Sequence, residues 1–161
     1  MSKICLPEQA KMIEALEPAA DAAGRTGAYV SLKNAGRAFV VVHIDQGNAA
    51  TVALTVEQAT AVAGTGSKAL TNNAPIWANQ DCAAGDTLVR QTDAKSFTTS
   101  AAVKHKMVVF QIDPASLDVA NGFDCITVKS GASNEANITQ ALYILTDLRY
   151  AQATPPSAIE D

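Results

Sequence analysis

Apolar and polar residues alternate along most of this chain of 161 residues, which is the period of a half-buried β-strand. Strands are predicted for residues 28–33, 38–44, 51–56, 87–91, 97–100, 106–113, 123–129 and 138–150, with further short ones within residues 68–81. Residues 38–44 hold so few polar positions that we expect them to be buried on both faces or nearly so. Turn-forming residues separate these segments, so the pattern predicts roughly eight or nine antiparallel strands in a jelly-roll-like β-sandwich.

The N-terminal segment has a different period. Proline at position 7 suits a first helical turn, and Met12, Ile13 and Leu16 would share one helical face, so a short amphipathic helix is predicted over residues 7–16. Pro18 would end this helix, and an Ala- and Gly-rich connector would follow it. The predicted organisation is an N-terminal arm with the helix at residues 1–21, a sandwich domain at residues 22–150 and an extended C-terminal tail at residues 151–161.

Two local predictions concern the first strands of the sandwich. Residues 45–48, Asp-Gln-Gly-Asn, are turn formers, so residues 38–44 and 51–56 are predicted to pair as an antiparallel hairpin. Residues 57–62 could form one or two helical turns. Regular helices do not alternate with the strands, which argues against a parallel βαβ fold.

Composition and charge exclude several partners. The net charge is −4, and the densest basic group, Lys104-His105-Lys106, is only three residues long, so we expect no nucleic-acid partner. No apolar run approaches the roughly 18 residues that span a bilayer, and residues 1–16 lack the pattern of a signal peptide, so no membrane partner is expected. Charged residues make up only 17% of the chain, which leaves neutral surface available for packing against other proteins.

A search for catalytic and phosphate-binding motifs assigns no residue. Residues 64–68, Gly-Thr-Gly-Ser-Lys, resemble part of a phosphate-binding loop but lack its order and its preceding strand, so they are interpreted as a glycine turn. His43 lies in an apolar strand and His105 stands between two lysines, and neither belongs to a nucleophile motif. We therefore expect no catalytic residue and no cofactor.

Metal ligands and modification sites are also not expected. The acidic residues near turns do not follow the order of a calcium loop, and turn aspartates commonly bond to their own backbone; they are Asp81, Asp86, Asp113, Asp118 and Asp124. Cys5, Cys82 and Cys125 have no metal-binding spacing and are interpreted as thiols in a reducing cytoplasm. Asn137-Ile138-Thr139 matches the glycosylation sequon, which we interpret as incidental.

Four segments resemble small structural proteins encoded in tailed-phage head gene clusters, and the similarity extends over about residues 22–161. The segments are residues 24–34 (GRTGAYVSLKN), 41–54 (VVHIDQGNAATVAL), 88–93 (LVRQTD) and 110–124 (FQIDPASLDVANGFD). Such proteins are similar to capsid decoration or cement proteins, for which a jelly-roll sandwich is one known fold. The resemblance implies a non-enzymatic protein of the capsid surface, made in the host bacterial cytoplasm, whose partners are the major capsid protein and copies of itself in a dimer or trimer.

Two alternative functions remain open from the sequence. A tail, tube or head–tail connector subunit would need a long exposed loop for stacking, and residues 72–86 could supply it. A glycan- or receptor-binding module would need exposed aromatic rings, for which Trp77 is the residue to inspect. Residues 1–18 and 152–161 are predicted to be arms that bind neighbouring subunits, by adding a strand to a sheet edge.

Overall fold

The computed structural model describes residues 5–150 and 152–160, which fold almost entirely as antiparallel β-structure. A four-residue helix, α1, comes first at Leu6–Gln9, and two short 3-10 turns lie at Pro114–Ser116 and Val119–Asn121. The strands are β1 (Lys11–Ala20), β2 (Arg25–Thr26), β3 (Val30–Ser31), β4 (Arg37–Gln46), β5 (Ala53–Ala59), β6 (Lys68–Ala69), β7 (Ile76–Asn79), β8 (Val89–Arg90), β9 (Ser96–Thr98), β10 (His105–Ile112), β11 (Cys125–Ser130) and β12 (Asn137–Thr146).

The strands form two sheets. The first sheet has the order β1-β12-β4-β10-β7-β8. The second sheet has the order β2-β11-β5-β6, with β3 also paired to β11 and β9 also paired to β5. The predicted antiparallel β-sandwich is therefore confirmed.

The strand pairing is that of a jelly roll, a long hairpin whose two arms roll up together. The outermost pair is β1 with β12, the next is β2 and β3 with β11, then β4 with β10, and the innermost is β5 with β9. Successive nested pairs alternate between the two sheets. Strands β6, β7 and β8 lie in the connection between β5 and β9 and widen both sheets.

The core lies between the sheets and follows the period of two in the sequence. In β4, Ala38, Val40, Val42 and Ile44 are fully buried, and β10 contributes Val108, Phe110 and Ile112 in the same way. From the second sheet, residues including Leu54, Val56, Ile126 and Val128 complete the same cluster. Many of these side chains are β-branched, which suits a pleated surface packed on one face.

A short N-terminal helix is present as predicted, but its predicted extent over residues 7–16 is wrong. The helix ends at Gln9, and Lys11–Ala20 is an edge strand of the first sheet, paired with β12. A register shift between Glu14 and Leu16 places two consecutive residues, Ala15 and Leu16, in the buried interior. This bulge breaks the alternation of the strand and leaves an apolar spacing that resembles a helix. Most of the segment predicted as an arm thus belongs to the sandwich.

Three further predictions about elements are wrong. Strands β4 and β5 do not form a hairpin, because β4 pairs with β12 and β10 in the first sheet and β5 pairs with strands of the second. The helical turns predicted after residue 56 are absent from the described residues there, since β5 continues to Ala59 before a turn. The last strand ends at Thr146 rather than at residue 150, and Asp147, which has φ of 54°, turns the chain away from the sheet.

The described part of the C-terminal tail folds back onto the sandwich. The Ser31 amide donates a hydrogen bond to the Ala158 carbonyl at 2.7 Å, and Ala158 is buried within the core cluster. The Lys11 ammonium donates to the Pro155 carbonyl at 3.1 Å and also to that of Pro156. Residues 152–160 therefore close one end of the sandwich, where an extended tail was predicted.

Candidate functional site

The outward surface of the first sheet, called the outer face below, carries apolar side chains in addition to those of the core. Antiparallel sheets with one face in water normally show polar residues on that face. Here the outward positions of β1, β12, β4, β10 and β7 include Met12, Ile138, Leu142, Ile144, Phe39, Val41, Met107, Val109 and Trp77. An exposed sheet face with this many apolar residues is typical of a protein–protein contact.

One row of cross-strand neighbours runs across the whole outer face and is called the central row below. Each residue in it is directly paired with the next, and the order is Glu14, Leu142, Val41, Val109, Trp77 and Arg90. Four apolar side chains therefore stand between a carboxylate at the β1 edge and a guanidinium at the β8 edge. Leu142 is 44% exposed, and Val41, Val109 and Trp77 are half-buried by their neighbours on the sheet.

The outward surface of the second sheet provides an internal comparison. There Thr55 and Glu57 of β5 stand beside Lys129 of β11, and the Lys129 ammonium lies 2.6 Å from the Glu57 carboxylate. Burial alone would raise the pKa of Glu57, but the hydrogen bonds and charge that Lys129 and Ser67 supply outweigh it and lower the pKa. The charged side chains at this position therefore pair with each other, whereas the corresponding positions of the outer face are apolar.

Charged and polar residues border the outer face at both ends of its strands. Asp45 and His105 are cross-strand neighbours, with 3.3 Å between Asp45 Oδ1 and His105 Nδ1, and Arg37 stands at the opposite end of β4. At the end of β7, four residues of the following loop line an open cavity of about 240 Å³ together with Asn79 and Met107; they are Cys82, Gly85, Asp86 and Leu88. A partly apolar centre with a polar border is the usual anatomy of an interface between proteins.

Trp77 lies within the outer face rather than in the core. The Arg90 guanidinium carbon is 4.7 Å from the centre of the Trp77 ring, a cation–π contact that covers one face of the indole. Arg90 is held there by Asp93, with 2.5 Å between Arg90 Nη2 and Asp93 Oδ1. The Trp77 side chain is thus half-buried with one face of its ring covered, unlike the projecting rings on which sugars stack.

The two histidines lie on the outer face but do not form a catalytic arrangement. His43 is half-buried between Gln140 and Met107, its cross-strand neighbours, and His105 is exposed beside Asp45. The structure therefore places both among the residues that surround the apolar centre.

The glycine turn at residues 64–68 is held by contacts within the chain. Gly64 and Gly66 have φ of +79° and +66°. Ser67 Oγ donates to Glu57 at 2.7 Å and accepts from the Tyr29 hydroxyl at 3.0 Å. The Lys68 ammonium contacts Asp118 and lies 4.0 Å from the centre of the Phe123 ring. The polar side chains of this turn thus stabilise the fold.

Four of the five acidic residues near turns have partners within the chain: Asp81, Asp113, Asp118 and Asp124. Asp86 is exposed in the loop before β8. Asp81 accepts from the Ala83 and Ala84 amides and contacts Lys104, and Asp113 accepts from the Ala115 amide. Among residues 5–150 and 152–160, no three His, Cys, Asp or Glu side chains lie together as a metal would require. No helix in this part of the chain is long and apolar enough to cross a membrane.

The sequon asparagine is buried, and the three cysteines differ in their exposure to solvent. Asn137 is fully buried, and its side-chain amide donates to the Ala50 carbonyl and to Ser133, so the sequon is inaccessible in the folded protein. Cys5 is exposed, Cys82 is half-buried and Cys125 is buried, and no disulfide joins them.

Two buried polar groups between the sheets connect distant segments. The Lys106 ammonium is fully buried and donates to Gln46 Oε1 and to the carbonyl and hydroxyl of Ser100, and burial lowers the pKa of Lys106. Asp21 is equally buried and accepts from Arg25, Ser130 and Thr139. These groups join β1, β2, β11 and β12 on one side, and β4, β10 and the segment after β9 on the other. Their role is structural, because each is enclosed by the partners that it binds.

The apolar run in β4 indicates that both faces of the strand are apolar, but it does not indicate that one of them points away from the core. The run Phe39-Val40-Val41-Val42 was interpreted as burial on both faces, and one face of β4 is indeed apolar without facing the core. The central row could not be predicted, because it combines residues from six strands whose register only the structure supplies.

Comparisons with known proteins give likenesses of overall shape only. No protein-family model and no curated protein matches the sequence. A prophage-derived protein of SPBc2, YomS, is 12% identical, with a TM-score of 0.49 over 86% of this chain and 93% of that one. The empty top component of cowpea mosaic virus is 13% identical, with a TM-score of 0.41 over 92% of this chain and 89% of that one. A Bacteroides thetaiotaomicron protein described as sugar-binding is 11% identical, with a TM-score of 0.31 over 77% and 66%.

Proposed function

We propose that this chain is a non-enzymatic structural protein of a tailed-phage virion that decorates and braces the capsid surface. The observation that carries the proposal is the apolar outer face, a surface suited to packing against another protein subunit. The jelly-roll fold and the four segments that resemble phage head proteins support placement in a virion. The site of action would be the capsid surface, with the major capsid protein as partner.

The physical requirements of this role agree with the chain. A decoration protein binds a lattice of many identical sites, so modest contacts repeated across the lattice give firm attachment. The two sheets, joined by buried polar groups and nested strand pairs, form a body suited to bracing such a lattice. The outer face offers apolar area for contact between subunits, and its charged border can set the orientation of that contact.

The alternatives have less support from the same surface. For a tube or connector subunit, the predicted stacking loop at residues 72–86 would have to be free, but it contains β7, which pairs with β10 and β8. For glycan binding, Trp77 would have to project, but Arg90 covers one face of its ring.

Imaging of purified virions, with counting of this chain by quantitative mass spectrometry, tests the proposal. We expect hundreds of copies spread over the head. A few copies at one vertex, or rings along the tail, would support a connector or tail subunit instead. Its absence from purified particles would refute a virion role altogether.

A further inference from the structure

We propose that the outer face is a self-association surface, on which two copies of this chain pack face to face about a two-fold axis parallel to the strands and between β4 and β10. The proposal rests on the proposed function only in treating the outer face as a protein contact, and it names the partner at that face. It can hold or fail independently of the capsid role.

The position of the charges in the central row selects the symmetry axis. The axis lies between the two middle strands of the six-stranded order, so the rotation exchanges β4 with β10, β12 with β7, and β1 with β8. Glu14 on β1 then faces Arg90 of the second copy, and the reciprocal pair forms at the other edge. A two-fold axis along the central row would instead place each charge against its own copy, which like-charge repulsion disfavours.

The apolar residues of the central row match each other under the same rotation. Leu142 faces the Trp77 of the second copy, and Val41 faces its Val109. An isologous interface needs a surface that complements itself, and a row with acid, four apolar residues and base meets that requirement.

A second row of polar side chains agrees with this axis. Asp45 and His105 are cross-strand neighbours on β4 and β10, the two strands that the rotation exchanges. Asp45 therefore faces the His105 of the second copy, so a carboxylate that accepts hydrogen bonds lies opposite an imidazole ring that can donate one.

The size and shape of the outer face suit such a pair. Four strands of eight to ten residues and the shorter β7 and β8, spaced about 4.8 Å apart, give a face on the order of 700 Å² before the relief of the side chains is counted. Stable interfaces bury about 800 Å² per partner, so the outer face supplies most of that area. With the axis parallel to the strands, the two sheets stack with aligned strands, which is a usual way for sheets to pack.

The test is the oligomeric state of the purified full chain, measured by analytical ultracentrifugation, with thermal melts to verify folding of each variant. We expect the wild type to be a dimer and Leu142→Glu to be a monomer. Val119→Glu is the matched control, because Val119 is 58% exposed and lies in a 3-10 turn outside the strands of the first sheet. It should remain a dimer.

Charge reversal tests the axis itself. Glu14→Arg and Arg90→Glu should each raise the dimer dissociation constant about tenfold or more, and the double variant should restore it to within about threefold of the wild type. If Arg90→Glu unfolds because it loses Asp93, then Glu14→Arg and Leu142→Glu, both at exposed positions, still decide the result.

Four outcomes would overturn the proposal: a monomeric wild type at about 100 µM, a trimer, a Leu142→Glu variant that still dimerises, or a Glu14→Arg variant that binds as tightly as the wild type. A monomer in solution that nevertheless covers the heads of purified virions would refute the dimer and leave the decoration role intact. A chain that dimerises in solution but is missing from virions would refute the decoration role and leave the dimer intact.

Discussion

Gly64 shows how a single residue fixes the turn after β5. Its φ is +79°, a backbone conformation that is unfavourable for residues with a side chain. In addition, a Cβ atom at this position would lie 2.7 Å from Cε2 of Tyr29. The Tyr29 ring cannot withdraw freely, because its hydroxyl is bonded to Ser67, which in turn bonds Glu57. Backbone conformation and close packing therefore both require glycine here.

Replacing Gly64 with alanine should destabilise the protein by about 1–3 kcal/mol. Gly85→Ala is the matched control, because a Cβ at Gly85 meets no atom within 4 Å, and it should change stability by less than about 0.5 kcal/mol. Urea unfolding of both variants measures the difference. Equal stabilities for the two variants would show that the turn does not depend on glycine at position 64.

Tyr143 connects the two sheets through its hydroxyl. The hydroxyl accepts from the Val128 amide at 2.9 Å and donates to the Ala28 carbonyl at 2.8 Å. Tyr143→Phe leaves the buried Val128 amide and the partly buried Ala28 carbonyl without this partner, so it should cost about 1–3 kcal/mol at neutral pH. Urea unfolding measures this cost.

The cost of Tyr143→Phe should depend on pH. Burial raises the pKa of Tyr143 from 10.0 to about 12, so between these values the folded protein keeps a proton that the unfolded chain loses. The stabilisation by Tyr143 is therefore complete below pH 10.0 and decreases as the pH rises towards about 12. The stability difference between wild type and Tyr143→Phe should shrink over that range. A difference that stays constant would contradict the burial of this hydroxyl.

At the scale of elements, the sequence predicts most strands closely because burial alternates along them. Strand β10 was predicted at residues 106–113 and lies at His105–Ile112, and β4 was predicted at residues 38–44 and lies at Arg37–Gln46. There is a physical reason why the sequence pattern does not predict β1 and β2. β1 contains a bulge that removes its alternation, and β2 has only two residues, too few to show a period. Membership of β4 and β5 in different sheets depends on pairing with distant strands, which local pattern does not encode.

Strand β1 gives a prediction at this scale. Deleting residues 1–9 should leave the melting temperature within about 3 °C of the full chain, because no described residue of α1 is buried. Deleting residues 1–20 should prevent stable folding or cause aggregation. It removes Ala15 and Leu16 from the core and opens the edge of β12, with exposed Ile138 and Leu142 beside it.

Solubility and thermal melts of the two truncated chains measure this effect. An unchanged melting temperature after deletion of residues 1–20 would contradict the assignment of β1 to the sandwich and would restore the view that this segment is a separate arm.

At the scale of the whole molecule, the jelly roll presents two outward surfaces of different character. The second sheet carries internally paired polar residues such as Glu57 and Lys129, and the first sheet carries the apolar outer face. Such asymmetry is what a subunit needs if one side packs against protein. A dimer formed at the outer face would bury that face and leave other surfaces of both subunits for the capsid. Two subunits would then attach to the lattice together, so dimerisation and attachment would strengthen each other.

The measurement that tests the central claim most directly is incorporation of Leu142→Glu into virions, compared with Val119→Glu as the control for an added surface charge. Each variant would be supplied in place of the wild-type chain, and its copies per purified head would be counted. We predict wild-type occupancy for Val119→Glu and at least about a tenfold loss for Leu142→Glu, because a buried unpaired carboxylate opposes packing at the outer face. Equal occupancy of both variants, with both correctly folded, would contradict the claim that this protein works through its outer face.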